Sequence, residues 1–145
     1  MMITLVMCVG NSDNGDDGVG PYVSKIFPKT DDFKVVNCET VPENFTHLIK
    51  NVDRVVLVDA VEMGLTPGET RVVPREKISG LHVSTHSLPL SVLMDYVSGE
   101  GKEVVLVGVQ PKKLHGGLSV EVKKAAEKLV ETLINYDVDG FKVFE

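Results

Sequence analysis

The sequence has little of what is typical of secreted, membrane-spanning or nucleic-acid-binding proteins. It contains two cysteines among 145 residues, too few for a disulfide-rich secreted domain. No apolar run reaches the roughly 18 residues that a membrane-spanning helix requires, so membrane insertion is not expected. The formal net charge is −6. Because basic side chains supply most of the affinity for phosphate backbones and anionic lipids, we expect no nucleic acid and no membrane surface as partners.

The two cysteines and the N-terminal segment indicate an intracellular protein. Cys8 and Cys38 each lie in an apolar, strand-like run, and neither has a second cysteine at Cys-x-x-Cys spacing. Buried thiols in a reducing compartment are the simpler interpretation. Residues 1–9 have no basic region before their apolar stretch and lead into an acidic loop, which indicates a first strand rather than a secretion signal. We therefore predict a cytoplasmic protein.

Short apolar strands alternate with amphipathic helices along the whole chain. The central strands show no polar alternation, which is typical of parallel strands covered on both faces. We predict an α/β fold: one three-layer domain over residues 1–145, with a mainly parallel twisted sheet flanked by helices, of the phosphorylase/hydrolase-like type. The predicted strands are 3–9, 33–38, 54–58, 69–73 and 104–109, and the predicted helices are 19–27, 43–50, 87–97 and one that begins after Ser119.

The loop between the first strand and the first helix is rich in glycine and carries two adjacent acids, Asp16 and Asp17. Loops of this shape usually bind phosphate through backbone N–H groups. Here the glycine spacing does not give the Gly-x-Gly-x-x-Gly pattern of dinucleotide-binding loops, and the carboxylates would repel a pyrophosphate. The loop therefore predicts a cation as its ligand.

Three residues that can bind a metal follow strands or precede helices at one edge of the predicted sheet. Asp17 follows the first strand, Asp59 closes the third, and His86 comes just before a helix. Ligands of open parallel sheets gather at the carboxyl ends of the strands. Two carboxylates and one imidazole suit a divalent ion such as Zn²⁺, Ni²⁺ or Fe²⁺ and leave coordination positions open. We predict that these residues form the metal-binding and catalytic site.

Each candidate also has a purely structural interpretation. Either Asp16 or Asp17 can serve as a helix cap, and we expect that one caps while the other points into the cleft. His86 can bond a loop carbonyl or a neighbouring hydroxyl. A functional role is favoured for Asp59, because a carboxylate that ends an apolar strand is poorly solvated and needs a cation or several donors. Outside this trio, Gln110 and His115 are weaker candidates, Gln110 for binding the main chain of a peptide.

Common hydrolase motifs such as His-Glu-x-x-His and Gly-x-Ser-x-Gly are missing from the sequence. Several other motifs occur in a fixed order, and together they resemble the hydrogenase maturation endopeptidases over nearly the whole chain. The similarity is greatest to the branch that serves hydrogenases of the formate-hydrogenlyase type. The motifs are Cys8-Val-Gly-Asn11, Gly15-Asp-Asp-Gly-Val-Gly-Pro21, Val58-Asp-Ala60, Met63-Gly-Leu-Thr-Pro-Gly-Glu69, Thr85-His-Ser-Leu-Pro-Leu90 and Gly108-Val-Gln-Pro111.

The resemblance implies an endopeptidase that removes the C-terminal extension of a nickel–iron hydrogenase large-subunit precursor after nickel insertion. In this family the second acid of the loop, the aspartate that ends the strand and the histidine before the helix contact the metal. Those positions are Asp17, Asp59 and His86 in this sequence. The nickel is then supplied by the precursor, and other divalent ions such as Cd²⁺ or Zn²⁺ would also fit the site.

Two points stay open at the level of sequence. Hydrolysis can proceed through a carbonyl or water activated by the metal, or through Asp17 or Asp59 as general base in the manner of an aspartyl protease. The same three ligands would also serve a nickel-delivery or metal-sensing accessory protein without hydrolytic activity. A small nucleotide-binding domain is a further alternative, favoured by the glycine-rich loop and opposed by its acids.

Overall fold

The computed structural model describes residues 2–83 and 89–145. In these residues the chain forms six strands, three α-helices and several short 3₁₀ segments. The strands are β1 (Thr4–Val9), β2 (Phe33–Glu39), β3 (Arg54–Glu62), β4 (Thr70–Val73), β5 (His82–Val83) and β6 (Glu103–Val109), and the helices are α1 (Val19–Ile26), α2 (Leu90–Gly99) and α3 (Val120–Tyr136).

The sheet is mostly parallel, with the strand order β2-β1-β3-β6-β4. β2, β1, β3 and β6 run parallel to one another, while β4 pairs antiparallel with β6 at the edge. β5 is short and pairs antiparallel with the last residues of β3. The residues of β1 are all buried, as are all but the last residue of β3, because both strands lie in the middle of the sheet.

Helical segments cover both faces of the sheet and give three layers. α1 and α3 pack against the face that carries Val6 and Val56. α2 and the 3₁₀ segment at Pro42–Asn51 pack against the opposite face, which carries Leu5 and Leu57. Successive side chains of a strand point to opposite faces, so each central strand contributes to both cores. The predicted three-layer α/β fold with a mainly parallel sheet is confirmed.

The structure corrects several predicted boundaries. The segment predicted as an α-helix at 43–50 is a 3₁₀ helix at Pro42–Asn51, which contains Thr, His and Asn residues of modest helix propensity. The third strand, predicted to end at residue 58, continues to Glu62 because Asp59 and Ala60 still pair with β6 and the last two residues pair with β5. The helix predicted at 87–97 begins at Leu90 in the described residues, directly after Pro89.

The two cysteines are buried free thiols, as the sequence predicts. Burial raises the pKa of Cys38 to about 12 and also raises the pKa of Cys8. A thiol that stays protonated at neutral pH is a poor nucleophile, so neither residue suits covalent catalysis. None of the described helices combines the length and the apolar character needed to cross a bilayer.

Two glycines allow the loop after β1 to fold back onto the end of that strand. Gly10 has φ +152°, and a Cβ at this position would lie 1.9 Å from the backbone oxygen of Asp17. A Cβ at Gly20 would lie 2.2 Å from the carbonyl oxygen of Val9. Any larger residue would push the loop away from the strand, so both glycines fix how close the acidic turn lies to the sheet.

The carboxylate of Asp16 joins this turn to the chain that follows β6. Its side chain is fully buried and accepts hydrogen bonds from the backbone N–H groups of Lys112 (2.8 Å), Lys113 (3.1 Å) and Ser119 (2.7 Å). It also accepts the hydroxyl of Ser119 (2.9 Å), the residue that caps α3 through the backbone N–H of Val122. One side chain therefore holds together the turn after β1, the loop after β6 and the start of α3.

These hydrogen bonds also set the charge of Asp16. Burial alone would raise the pKa of this carboxyl, but the hydrogen bonds from Ser119, Lys112 and Lys113 outweigh burial and hold the pKa below its ordinary value. Asp16 is therefore ionised at neutral pH despite its burial. Its contribution to stability is complete above the pKa of the unfolded chain, and it is lost as the pH falls through the lower pKa of the folded protein.

We expect Asp16→Asn to lower the free energy of unfolding at pH 7 by about 2 to 3 kcal/mol, because an amide cannot accept all these donors and loses the charge-assisted bonds. The difference from wild type should shrink as the pH falls below the ordinary aspartate pKa of 3.8. Urea unfolding at a series of pH values measures both effects. Asp13→Asn, at an exposed position in the same loop, is the control; equal stability of the two variants would contradict this role of Asp16.

Candidate active site at the carboxyl ends of β1 and β3

The structure places two of the three predicted site residues at the same edge of the sheet. Asp17 lies in the 3₁₀ turn Gly15–Gly18, which follows β1 and packs against β3. Cys8 of β1 pairs with Val58 of β3, so Asp59 is level with the last residue of β1. Neighbouring strands are about 4.8 Å apart, which brings the backbones that carry the two acids close together.

Asp59 lies within β3 rather than at its end, which corrects the sequence prediction. The strand continues because Asp59 and Ala60 still pair with Gly108 and Val109 of β6. The Asp59 side chain is fully buried, and its Oδ1 accepts the backbone N–H of Ala60 at 2.8 Å. By the alternation of the strand it faces the layer that contains α2. A carboxylate in this position is held rigidly and shielded from bulk water.

Asp17 is also buried, but it borders open space. Its side chain is 5% exposed, and Oδ2 accepts a hydrogen bond from the Nδ2 of Asn14 at 2.8 Å. Asp17 lines a cavity of about 90 Å³ together with Ala60, Glu62 and residues 111–114 of the loop after β6. A cavity of this size accepts an ion or part of one side chain rather than a whole small-molecule substrate.

The adjacent acids Asp16 and Asp17 have different surroundings, and the N-cap position of α1 is occupied by neither. The N-cap of α1 is Gly18, which has no side chain that could cap the helix. Asp16 instead bonds the N-cap residue of α3, Ser119, across the sheet edge. Asp17 is the acid that borders the cavity. Tertiary contacts, and not the local helix, therefore determine that Asp16 bonds Ser119 while Asp17 borders the cavity.

His86 lies outside the described residues, so its place relative to the two acids stays a prediction. The described chain on either side is known: Val83 pairs with Val61 of β3, two residues beyond Asp59, and α2 begins at Leu90. In the parts of the chain that the structure describes, no three His, Cys, Asp or Glu side chains are grouped so that they could hold a metal ion. A metal site here accordingly requires His86 or a ligand from the substrate.

Gln110 does not present its amide to a substrate, contrary to its prediction as a residue that binds peptide main chain. Its Oε1 accepts the backbone N–H groups of Met63 (2.7 Å) and Leu65 (3.2 Å). Its Nε2 donates to Glu62 Oε2 (2.7 Å) and to the carbonyl of Pro111 (3.1 Å). The side chain is 3% exposed. Gln110 therefore fixes the loop after β3, a use of the amide that only the folded backbone reveals.

Sequence reasoning missed one residue of this region, Glu62. Its Oε2 accepts the backbone N–H of Gly64 at 3.0 Å as well as the Gln110 amide, and its side chain lines the same cavity as Asp17. The sequence contains a signal for Glu62, because an acid three residues after Asp59 belongs to the same strand once that strand is extended. The predicted strand ended at residue 58 and so left Glu62 outside it. Asp17 and Glu62 line the cavity together with Lys112 and Lys113, so its lining carries charges of both signs. His115 is exposed in the neighbouring loop, and its contact with substrate stays a prediction.

The sequence matches a known protein family over most of its length. The family model HycI, described as hydrogenase maturation protease, matches residues 19–136, which include Asp59. Among curated relatives, the hydrogenase 3 maturation protease of Escherichia coli K12 is 32% identical over an alignment of 147 positions, gaps included, which covers 96% of this chain and 94% of the relative.

Solved structures give the same result over the full fold. A crystal structure of the hydrogenase 3 maturation protease superposes with a TM-score of 0.86 at 31% identity, covering 99% of this chain and 97% of the other. The hydrogenase maturation protease HycI of Thermococcus kodakarensis superposes with a TM-score of 0.81 at 33% identity, covering 95% and 93%. The resemblance seen in the sequence motifs is confirmed, and the chain is a member of the hydrogenase maturation protease family, whose activity is that of an endopeptidase.

Proposed function

We propose that this protease removes the C-terminal extension from the large-subunit precursor of a nickel–iron hydrogenase, and that it recognises the nickel already bound to that precursor. Asp17, Asp59 and His86 are the residues proposed to contact the metal. The observation that carries the proposal is the position of Asp17, which a fixed turn holds at a small cavity beside the strand that bears Asp59. The Escherichia coli relative is named for the maturation of hydrogenase 3.

Asp17, Asp59 and His86 would not fill all coordination positions of nickel. We therefore treat the nickel as part of the substrate. Two carboxylates and one imidazole leave open the positions that thiolates of the precursor would fill, and soft thiolates contribute strongly to nickel affinity. The protease then binds a loaded precursor more tightly than an empty one. This difference in affinity couples cleavage to correct metal insertion.

The chemistry requires a carboxylate oxygen that substrate can reach, and Asp17 supplies it. Asp17 borders the cavity, and the buried carboxylate of Asp59 in β3 accepts the N–H of Ala60. In one route the nickel of the precursor polarises the scissile carbonyl, and Asp17 and Asp59 orient that metal. In the other, Asp17 accepts a proton from the attacking water while nickel positions the chain. Both routes require ionised carboxylates at these two positions, and both end with water added across the peptide bond.

We expect Asp17→Asn and Asp59→Asn each to reduce cleavage of the nickel-loaded precursor by at least about 100-fold, the lower range for loss of a general base. The assay is mass spectrometry of the large subunit over time. Thermal unfolding should show that both variants remain folded, since an amide has nearly the same shape as the carboxylate. The exposed Asp13→Asn serves as matched control in the same loop. Wild-type cleavage by either site variant would remove that residue from the proposed role.

Nickel recognition predicts that the wild-type protease cleaves a loaded precursor at least about tenfold faster than the same precursor prepared without nickel, equivalent to about 1.4 kcal/mol of differential binding. Binding measured with Asp17→Asn should show a smaller preference for the loaded form. Equal cleavage of both forms would contradict the nickel checkpoint but not the protease activity. A metal-delivery protein, the alternative, would leave the precursor at full length in every arm.

A further inference from the structure

A second and larger cavity lies along α3, apart from the cavity that Asp17 lines. This groove of about 460 Å³ runs between α3, the edge strand β4 with the turn before it, and the C-terminal segment around Lys142. The segment is held in place because the backbone of Val72 in β4 bonds Lys142 O and Phe144 N. The groove is therefore a fixed feature of the fold, with walls from three separate parts of the chain.

The groove carries an excess of positive charge in a chain whose net charge is −6. Lys124, Lys128 and Lys142 line it, and no carboxylate of the described residues lies within ion-pair distance of any of them. The two acids of the groove form ion pairs with other residues. Glu69 pairs with Arg71 (3.3 Å), and Glu121 pairs with Lys112 (2.8 Å), which lies outside the groove.

A solvated helix face is the simpler interpretation of such lysines, because Glu127 and Glu131 lie three residues after Lys124 and Lys128 on α3. Neither lysine forms an ion pair with them in the described structure, however. Lys124 and Lys128 are four residues apart on α3, a spacing at which like charges repel and destabilise a helix. Lys142 adds a third positive charge from the opposite wall. Three lysines that form no ion pair among the described residues and that converge on one groove favour an anionic ligand there.

The groove lies next to the cavity that Asp17 lines. Lys112 lines the cavity of Asp17, and Glu121 lines the groove, so their ion pair forms the border between the two spaces. Asp16 fixes this border, because it holds both the backbone of Lys112 and the N-cap of α3. A polypeptide whose scissile bond lies at the Asp17 cavity can thus continue over the Lys112–Glu121 pair into the groove.

We propose that this groove binds an acidic stretch of the precursor polypeptide, separate from the residues at the scissile bond, and so contributes to the selection of the substrate. The inference rests on the proposed function, since it takes the precursor as the bound chain. A peptide fits better than a nucleic acid, because three lysines on a strongly acidic protein cannot offset repulsion of a phosphate backbone. Charge pairing at an exposed groove acts on association and on affinity, and it weakens with salt.

The test compares two triple variants that remove the same number of charges. The groove variant is Lys124→Gln with Lys128→Gln and Lys142→Gln, and the control is Lys29→Gln with Lys34→Gln and Lys77→Gln, all exposed positions. With nickel-loaded precursor we expect the groove variant to raise KM about tenfold at low salt with kcat unchanged, and the control to change KM little. The tenfold difference should diminish as ionic strength rises.

An oligoglutamate peptide is a competitor of defined charge that tests the groove in the same cleavage assay. It should inhibit cleavage by the wild-type and control proteins and fail to inhibit the groove variant. Wild-type KM in the groove variant, or an equal rise in both triple variants, would overturn the proposal while leaving the protease function intact. If the wild-type protein binds the precursor without cleaving it, and this binding depends on the groove lysines, the result supports the groove as a binding site and contradicts the proposed function.

Discussion

The buried carboxylate of Asp16 is the constraint on which the site depends. A charge removed from water must find several donors, and Asp16 finds them in the backbone of Lys112, Lys113 and Ser119 together with the Ser119 hydroxyl. These donors belong to the loop after β6 and the start of α3, far from Asp16 in sequence. Satisfying one charge therefore fixes the turn after β1, closes one wall of the cavity and sets the position of α3.

The rest of the site follows from that anchor and from the order of the sheet. With the turn fixed, Asp17 borders the cavity while Asp59 lies level with the end of the neighbouring strand. Gln110 orients Glu62 on the same wall through its amide nitrogen. The side chains at the cavity are thus held by contacts made before substrate arrives, which limits the reorganisation that catalysis requires. The same anchor fixes the Lys112–Glu121 border that leads to the basic groove.

Much of this could be predicted from the sequence, because runs of β-branched residues without polar alternation identify buried parallel strands, and parallel strands bring the residues at their carboxyl ends together. The features that could not be predicted from the sequence also have a physical explanation. Asp16 and Asp17 are neighbours of identical chemistry, and only the distant donors of Ser119 decide which one is the anchor. The extension of β3 depends on pairing with β6, and the amide of Gln110 is used by a loop far away in sequence. Neither is encoded in the local pattern.

The central claim is that the turn held by Asp16 places Asp17 where it shares a ligand with Asp59. Anomalous diffraction from a crystal of the protein soaked in Cd²⁺ tests this most directly, because it locates the ion without reference to activity. We expect an anomalous peak at the carboxyl ends of β1 and β3, coordinated by carboxylate oxygens of both Asp17 and Asp59 and by His86. A peak bound by only one of these aspartates, or no peak at this edge of the sheet, would contradict it.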